Sequence, residues 1–576
     1  MALKLAENAL RILRARYLKK DPEGNIVESP EEMFRRVANH VAAAEATFDH
    51  QEKVAETAEA FYQMMASSEF LPNSPTMMNA ERELGQLAAC FVLPVEDSLD
   101  AIFEAIKNTA IIHQSGGGTG FSFSHLRPKN DIVSTTNGVA SGPVSFMRVF
   151  NMATEVIKQG GTRRGANMGL LRVDHPDIME FITAKRDPQE LTSFNLSVGI
   201  TREFMAALEK AKEFDLINPR TGHRVTTVEA REIFDLVVEC AWESGEPGVI
   251  FLDHINSDNP TPHLGQIQST NPCGEQPLLT YEACNLGSIN LAKMTTNSLG
   301  GQKIDWDRLR RTVRLAVRFL DDVIEVNRYP LPEIKRVSWG NRKVGLGVMG
   351  FAHLLILLGI SYDSEEGIRV AEEVMRFIQE AGHEASRELA KHRGPFPNFP
   401  GSRYDQEGNP PLRNATVTTI APTGTLSIIA GCSSGIEPLF ALSYTRRALE
   451  DIELFEIDSL FLRQAKEAGF WSPELEDSLQ QTGSIRAEEE IPPQVRRLFV
   501  TAFDILPSRH VQMQAAFQRH TDNAVSKTIN FPYDATKNDV QEAFLLAYKL
   551  GCKGVTIYRS GTRIGQVLTC GLNQLC

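Results

Sequence analysis

Residues 267–288 read IQSTNPCGEQPLLTYEACNLGS and carry the most informative pattern in the chain. Cys273 stands two residues after Asn271 and two residues before Glu275, and a proline and a glycine shape the backbone between them. A second thiol, Cys284, follows eleven residues later. A thiol between an amide and a carboxylate can exchange hydrogen atoms and protons with one small substrate. The sequence therefore predicts a reaction centre at Cys273.

The composition is that of an ordinary globular protein. The 576 residues are 42% hydrophobic and 23% charged, enough for a large core in two to four domains or in one large barrel. The net charge of -13 argues against a protein that binds nucleic acid over its whole surface, so phosphates must be held at local sites. Charges at the very start argue against a signal peptide, and the longest apolar stretch, 351–360, is too short to span a bilayer. Eight irregularly spaced cysteines argue against a disulfide scaffold and favour the cytoplasm.

The hydrophobic pattern changes along the chain. Residues 1 to about 70 are predicted to be helical, with a polar turn at 20–25, and from residue 71 short apolar strands alternate with amphipathic helices. Strands are predicted at 193–200, 343–351, 415–420 and 554–558, and a helix at 309–327. This alternation predicts an α/β fold with mostly parallel strands, but the pattern does not give the strand order.

Three glycine-containing segments could bind phosphate. Residues 115–120, SGGGTG, lack the ending of a Walker loop and could equally form a structural turn. Residues 421–427, APTGTLS, follow a predicted strand and open a helix, where backbone N–H groups hold phosphate well, although a plain turn is the alternative. Residues 158–167, KQGGTRRGAN, combine glycines with three cations and could also be a solvated basic turn.

The other cysteines are less informative. Cys240 lies in an apolar helical pattern and is predicted to be a core residue, and Cys432 and Cys552 are predicted to be structural. Cys90, taken alone, looks like a buried thiol on a strand. Zinc is disfavoured because the chain has no Cys-x-x-Cys pair.

The 267–288 segment closely resembles the active-site loop of ribonucleotide reductases, and motifs from about residue 71 to residue 568 match the same family. The resemblance implies a ten-stranded α/β barrel made of two five-stranded halves, with the Cys273 loop threaded through its centre. A helical region at 1–70 would precede this barrel at 71–568, and a short tail at 569–576 would follow it.

The same resemblance implies the chemistry. Cys273 would become a thiyl radical and take the 3′ hydrogen of a ribonucleotide, while Glu275 acts as general base and Asn271 orients the substrate. Cys90 and Cys284 would supply two electrons and end as a disulfide. The substrate, a ribonucleoside di- or triphosphate, would be bound by Ser74, Ala89, Cys90, Gly118, Asn271, Cys273, Glu275, Pro422, Thr423, Gly424, Thr425 and Leu426.

The resemblance also implies regulation by a deoxynucleoside triphosphate effector, bound at a homodimer interface. The effector-binding residues would be Asp97, Ser98, Arg127, Lys158, Gln159, Arg163 and Arg164. A thioredoxin-like reductant would serve the enzyme, and neither nucleic acid nor a membrane is an expected partner. Cys570 and Cys576 are either a shortened tail pair that re-reduces the disulfide or residues without a redox role.

The radical generator is inferred from what the chain carries. Members with a di-metal partner subunit have adjacent tyrosines near the C-terminus, where Tyr558 stands alone, and glycyl-radical members usually lack the glutamate found here as Glu275. The segment at 561–568 resembles the coenzyme-B12-dependent type, which implies adenosylcobalamin and no protein metal site. The Asp-x-His-x-x-Gly signature is absent, so no histidine ligand to cobalt is expected. The alternatives are the large subunit of a di-metal reductase and a catalytically silent nucleotide sensor of the same fold.

Overall fold

A computed structural model describes residues 3, 5–48, 51–133, 138–157, 165–298, 301–448, 452–562 and 568–569. The helices alternate with strands after a helical N-terminal region, as the hydrophobic pattern predicts. The α-helices are α1 Glu7–Ile12, α2 Pro30–Ala42, α3 Val54–Ala66, α4 Ser74–Asn79, α5 Leu99–Gln114, α6 Pro143–Ile157, α7 Ile178–Thr183, α8 Arg202–Glu209, α9 Ala230–Ser244, α10 Leu252–Ser257, α11 Trp306–Val326, α12 Pro332–Asn341, α13 Phe351–Leu357, α14 Glu365–Arg393, α15 Arg403–Gln406, α16 Gly424–Ala430, α17 Ser459–Glu467, α18 Pro473–Thr482, α19 Pro493–Leu498, α20 Pro507–Gln518 and α21 Lys537–Lys549.

Short strands build one large sheet and several small ones. The strands are β1 Phe70–Pro72, β2 Cys90–Val92, β3 Gly118–Ser122, β4 Ile132–Val133, β5 Gly138–Val139, β6 Asn167–Arg172, β7 Phe194–Ile200, β8 Glu213–Ile217, β9 Arg224–Glu229, β10 Gly248–Phe251, β11 Ser269–Thr270, β12 Pro277–Leu278, β13 Glu282–Asn290, β14 Thr295–Ser298, β15 Gly301–Ile304, β16 Val344–Met349, β17 Ser443–Ala448, β18 Ile452–Ile457, β19 Thr528–Phe531, β20 Gly554–Arg559 and β21 Leu568–Thr569.

The large sheet is a barrel of two parallel halves. In the first half β2, β3, β6, β7 and β10 pair side by side, all parallel. In the second half β13 pairs with β16, and β19 pairs with β20, also in parallel. The halves meet in antiparallel pairs at β2/β13 and at β10/β20. With β1, which pairs antiparallel with β13, the sheet has ten strands, and its two parallel halves are those of the barrel that the sequence resemblance implies.

The fifth strand of the second half is less regular than the sequence predicts. Residues 415–420 share three backbone hydrogen bonds with β16 and three with residues 523–526, but they form only isolated bridges, at Leu346–Thr418 and Ile420–Val525. The reason is a side chain: the Asp522 carboxylate accepts the backbone N–H groups of Val417 at 2.8 Å and Thr418 at 3.2 Å. A carboxylate thus takes hydrogen bonds that a neighbouring strand would otherwise supply.

The other predicted elements are confirmed. The strands at 193–200, 343–351 and 554–558 are β7, β16 and β20, and the helix at 309–327 is α11. The side chain of Asp305 caps the start of α11, and Val313, Ala316, Leu320 and Ile324 are buried along one face of this helix.

A buried ion cluster ties the N-terminal region to the barrel. Glu45 lies 2.6 Å from the guanidinium groups of both Arg318 and Arg393. Arg393 also binds Asp321 at 2.9 Å and Asp322 at 2.6 Å. Burial raises the pKa of Asp322 well above its usual range, and the nearby carboxylates of Glu45 and Asp321 add to this effect.

Within the described part of the chain, no helix is both long enough and apolar enough to cross a membrane.

Candidate active site

The Cys273 loop is the tip of a short hairpin formed by β11 and β12. The Asn271 N–H donates to the Gln276 carbonyl at 3.2 Å, and the Gln276 N–H donates to Asn271 Oδ1 at 2.9 Å. Gly274 has φ +82°, a conformation that favours glycine, and its N–H donates to the Asn271 carbonyl at 3.1 Å. Asn271 and Gly274 therefore close the turn, which leaves Cys273 exposed at the tip.

Glycines of β3 make room for this hairpin inside the barrel. A Cβ on Gly120 would lie 1.7 Å from the Thr270 carbonyl oxygen, and a Cβ on Gly118 would lie 3.0 Å from Pro272 Cγ. Asn195 on β7 donates its side-chain amide to the Pro272 carbonyl at 2.8 Å. The glycine-rich segment 115–120 thus lets a second backbone lie against β3.

The second half of the barrel holds the other side of the loop. The Glu275 carbonyl accepts hydrogen bonds from the Thr419 hydroxyl at 2.9 Å and from the Ala524 N–H at 3.0 Å. The Glu275 side chain is only 2% exposed. Thr419 lies on the irregular strand whose N–H groups bind Asp522, so this strand helps to hold Glu275 in place.

The barrel brings the two distant thiols together. Cys90 on β2 is the direct partner of Cys284 on β13, and on its other side Cys90 pairs with Gly118 on β3. Directly opposed residues of an antiparallel pair have Cα atoms about 4.5–5.5 Å apart, within the range that a disulfide spans. Gly118 faces Pro272, so one row across three strands joins the hairpin to both thiols.

Neither thiol of this pair is part of a disulfide, and both are buried in a small apolar cluster. Burial raises the pKa of Cys284 well above its usual value. The Cys284 Sγ–H donates to the carbonyls of Asn285 and Lys343, each at 3.5 Å. The structure therefore holds Cys284 as a protonated thiol that can form a disulfide with Cys90.

Of the expected substrate residues, Ala89 bonds directly to this row, and Ser74 lies at the start of α4. The Ala89 carbonyl accepts the Gly118 N–H at 2.8 Å, and the Ala89 N–H donates to the Cys284 carbonyl at 3.1 Å. Ser74 begins α4, and its hydroxyl lies 2.7 Å from the Tyr17 hydroxyl.

The segment 422–426 leads into α16, as its position after a predicted strand and before an apolar run indicates. Thr423 has φ +55°, and its hydroxyl accepts the Gly435 N–H at 2.7 Å, which fixes the turn. A Cβ on Gly424, the first residue of α16, would meet no atom within 4 Å. Pro422, Thr425 and Leu426 complete the segment. The start of this helix therefore faces open space.

A cavity of about 730 Å³ lies beside α16 and also reaches Tyr558 on β20. The lining combines small residues, among them Gly431 and Ser434, with larger side chains such as Phe440 and Tyr444. His353 also lines the cavity, and both of its ring nitrogens have partners: Nε2 lies 2.8 Å from Asp458 Oδ2, and Nδ1 accepts the Ser433 N–H at 3.3 Å. Both ring nitrogens of His353 are therefore already engaged within the protein.

Some of the expected effector residues also come together. Arg127 Nε lies 2.8 Å from Asp97 Oδ2, and Ser98 caps α5 by accepting the Ala101 N–H at 3.2 Å. Lys158, Gln159, Arg163 and Arg164 lie outside the described residues, and so do the tail cysteines, Cys570 and Cys576.

Sequence reasoning missed four residues that support the site. Asn195 and Thr419 bind the hairpin, and Lys343 and Glu282 form a buried ion pair at 2.8 Å beside Cys284. A lone lysine directly before the apolar strand β16 is the one signal in the sequence that could have indicated Lys343.

The geometry defines a class of protein, an α/β barrel with a thiol-bearing hairpin at its centre and a thiol pair on its wall. Comparison with known proteins gives the family. Residues 3–85 match the ribonucleotide reductase all-alpha domain, and residues 88–558 match the ribonucleotide reductase barrel domain. The chain belongs to the ribonucleotide reductase family.

Two similar relatives carry the same name, vitamin B12-dependent ribonucleoside-diphosphate reductase. The protein from Thermoplasma acidophilum is 50% identical over 99% of this chain and 81% of its own length. One from Mycobacterium tuberculosis (strain CDC 1551 / Oshkosh) is 51% identical over 98% of this chain and 81% of its own length. A solved structure, the Actinobacillus ureae class Id ribonucleotide reductase alpha subunit, matches with a TM-score of 0.79 over 97% of each chain. Its sequence identity is 22%, so it supports the fold alone.

Proposed function

We propose that this chain reduces ribonucleoside diphosphates to 2′-deoxyribonucleoside diphosphates with the help of adenosylcobalamin. The observation that carries the proposal is the row across three strands, which places Cys90 opposite Cys284 and both beside the hairpin of Cys273. The names of the two relatives at about half identity support the diphosphate substrate and the cofactor.

Each site residue has a role in this reaction. Cys273, as a thiyl radical, takes the 3′ hydrogen of the ribose, while Glu275 takes the proton of the 3′-hydroxyl. The 2′-hydroxyl leaves as water with a proton from Cys90. Cys90 and Cys284 give up two electrons and two protons in all and become a disulfide, and Cys273 returns the hydrogen to C3′. Asn271 orients the substrate, and its hydrogen bonds to Gln276 keep the loop closed meanwhile.

The remaining substrate contacts are assigned by the family pattern. Ala89 and Gly118 lie within the thiol row, and Ser74 lies at the start of α4. The segment 422–426 is assigned to the phosphates because it opens α16 towards free space. We also propose that the chain divides into a helical region at 1–70, a barrel at 71–568 and a tail at 569–576.

The cavity beside α16 is the proposed cofactor site. When bound, adenosylcobalamin supplies the oxidising equivalent that makes Cys273 a radical. The small residues of the wall would admit the ring, and His353 would stay bonded to Asp458. Tyr558 lines the same space, and the residues next to it in sequence are not tyrosines, unlike the adjacent tyrosines of di-metal reductases.

We also propose a homodimer with an effector site at its interface. The helices α5 and α6 pack together and expose a set of large apolar side chains, which are Leu99, Phe103, Val149, Met152 and Val156. Asp97 and Ser98 directly precede α5, and Arg127 binds Asp97 beside this surface. A deoxynucleoside triphosphate bound there would select the substrate by linkage. Lys158, Gln159, Arg163 and Arg164 would carry the coupling.

A thioredoxin-like dithiol protein would restore the thiols, directly or through Cys570 and Cys576. Such a reductant is found in the cytoplasm, where we place the enzyme. A catalytically silent sensor is the weaker reading, because a sensor has no need of two thiols in register. The large subunit of a di-metal reductase is also disfavoured by the names of the similar relatives.

The test is an incubation of the protein with a ribonucleoside diphosphate, a small dithiol and adenosylcobalamin, followed by analysis for deoxyribonucleotide. Product is expected only with the cofactor present. Product formed without cobalamin, but with a di-metal subunit, would overturn the cofactor assignment. Absence of product under every condition would overturn the function.

A further inference from the structure

The thiol row continues past Cys284 to a buried lysine. The β13/β16 ladder begins with the pair Asn285–Val344, so Lys343 lies beside Cys284 on the side away from Cys90. Gly345, two residues after Lys343, faces the interior of the barrel, because a Cβ there would lie 2.5 Å from the Gln276 side chain. Side chains two apart on a strand share a face, so Lys343 also points inward.

Lys343 is part of a fully buried ion pair. Its ammonium group lies 2.8 Å from Glu282 Oε2, and the two side chains are 1% and 0% exposed. Glu282 is held further by the Asn341 side chain at 2.7 Å and by the Leu279 N–H at 2.8 Å. A buried ion pair often adds little to the free energy of unfolding, so stability alone does not explain this one.

The charges that face Cys284 come from several elements. Burial raises the pKa of its thiol most, the carboxylates of Glu282 and Glu275 raise it further, and the Lys343 ammonium lowers it. Burial also raises the pKa of the nearby Tyr329 hydroxyl far above its usual value, so that group stays neutral. Lys343 is therefore the cation that favours a thiolate at Cys284.

We propose that Lys343 is a positioning residue for the redox cycle, whose ammonium group makes Cys284 the leaving thiolate when the Cys90–Cys284 disulfide is reduced. This inference rests on the proposed function, because that function creates the disulfide. A thiolate of the external dithiol attacks Cys90, which lies next to the hairpin, and the S–S bond breaks. The electron pair goes to Cys284, which then takes a proton, while the second thiol of the reductant resolves the mixed disulfide.

Because Lys343 and Glu282 carry opposite charges, removing each charge is expected to change the rate of disulfide reduction in opposite directions. A purely structural role of the ion pair would not produce that difference in sign. The disulfide is made with a chemical thiol oxidant, and its reduction by dithiothreitol is followed by thiol counting at several pH values. Opposite charges at close range shift a pKa by about 1–3 units, and exchange rates change by about half a decade per unit. Lys343→Met is therefore expected to slow reduction about tenfold. Glu282→Gln is expected to accelerate it about threefold or more, and the double variant to fall between them.

The controls separate this inference from its alternatives. Glu246→Gln removes the acid of another lysine–glutamate pair, in which Glu246 is buried and Lys185, at 2.8 Å, is partly buried; this variant is expected to leave the rate within about twofold of wild type. Slower reduction in both single variants, or no change in either, would overturn the proposal. If Lys343→Met does not fold, the direction of the Glu282→Gln effect decides.

A further readout separates this proposal from the proposed function. Pre-reduced Lys343→Met is expected to form its first deoxyribonucleotide in wild-type yield, because the lysine acts on the next reduction of the disulfide. The exchange rates do not depend on any nucleotide reaction, so they stay measurable if the chain forms no deoxyribonucleotide. If every variant exchanges at the wild-type rate while turnover is normal, the role of Lys343 is refuted and the proposed function is not.

Discussion

Gly120→Ala tests how closely the hairpin must lie against β3. The new Cβ would lie 1.7 Å from the Thr270 carbonyl oxygen, where real Cβ atoms essentially never come within 3.0 Å. The hairpin and the strand must therefore separate by about 1.3 Å, the difference between these distances. Because the hairpin carries Cys273 and Glu275, both reacting groups move with it.

A misplacement of about 1 Å can cost a factor of about 100 in rate. Gly120→Ala is therefore expected to lower kcat at least about 100-fold, equivalent to about 2.7 kcal/mol in the activation barrier. The assay is deoxyribonucleotide formation with a small dithiol and adenosylcobalamin, with thermal unfolding measured in parallel.

Two matched variants separate displacement from general damage. Gly118→Ala would place its Cβ 3.0 Å from the Pro272 side chain, which requires a shift of a few tenths of an ångström, so its loss is expected to stay within about tenfold. Gly554→Ala, on β20, would approach the Val249 carbonyl to 3.1 Å and strains the sheet away from the hairpin. A Gly120→Ala variant within threefold of wild type would refute the tight mount, and equal losses in all three would indicate an unspecific effect.

Three further predictions concern single residues. Cys273→Ser is expected to abolish turnover while substrate binding stays within about twofold, because a serine O–H bond is too strong for the radical relay; multiple turnovers by this variant would contradict its role. Glu275→Gln is expected to slow reduction about 100-fold or more, and a wild-type rate would show that another group takes the 3′-hydroxyl proton. Burial lowers the pKa of His383, but the Asp522 carboxylate outweighs it and the net pKa lies above the usual value. The stability from this charge is complete below about pH 6.5 and is lost as the pH rises through the folded-state pKa, so His383→Gln is expected to lower the unfolding temperature more at pH 6 than at pH 9. Equal losses at both pH values would show that the charge does not contribute.

Local patterns in the sequence were sufficient for much of the fold. The period-two alternation at 193–200 predicted β7, and the apolar face of 309–327 predicted α11, because each element buries one side. The strand at 415–420 was predicted from its apolar residues, but its irregular pairing involves Asp522, about a hundred residues away in sequence, whose carboxylate accepts the Val417 N–H. No local pattern contains such a contact.

The same distinction applies to the candidate active site: some of its residues could be identified from local sequence, and others only from the tertiary fold. The loop around Cys273 could be identified from its own residues, whereas the partnership of Cys90 and Cys284 required the barrel implied by the resemblance. The segment 115–120 left phosphate binding and a structural turn both open, and the contacts of Gly118 and Gly120 with the hairpin explain its glycines. Lys343 was missed because its relation to Cys284 arises only when β13 and β16 pair.

The measurement that most directly tests the central claim is a single turnover without external reductant. Pre-reduced protein is mixed with a ribonucleoside diphosphate and adenosylcobalamin, the deoxyribonucleotide is quantified, and the cysteines are mapped by mass spectrometry without reduction. The reaction centre described here predicts about one deoxyribonucleotide per active site, with Cys90 and Cys284 joined as a disulfide and Cys273 returned to a thiol. Deoxyribonucleotide formed while Cys90 and Cys284 both remain thiols would contradict it.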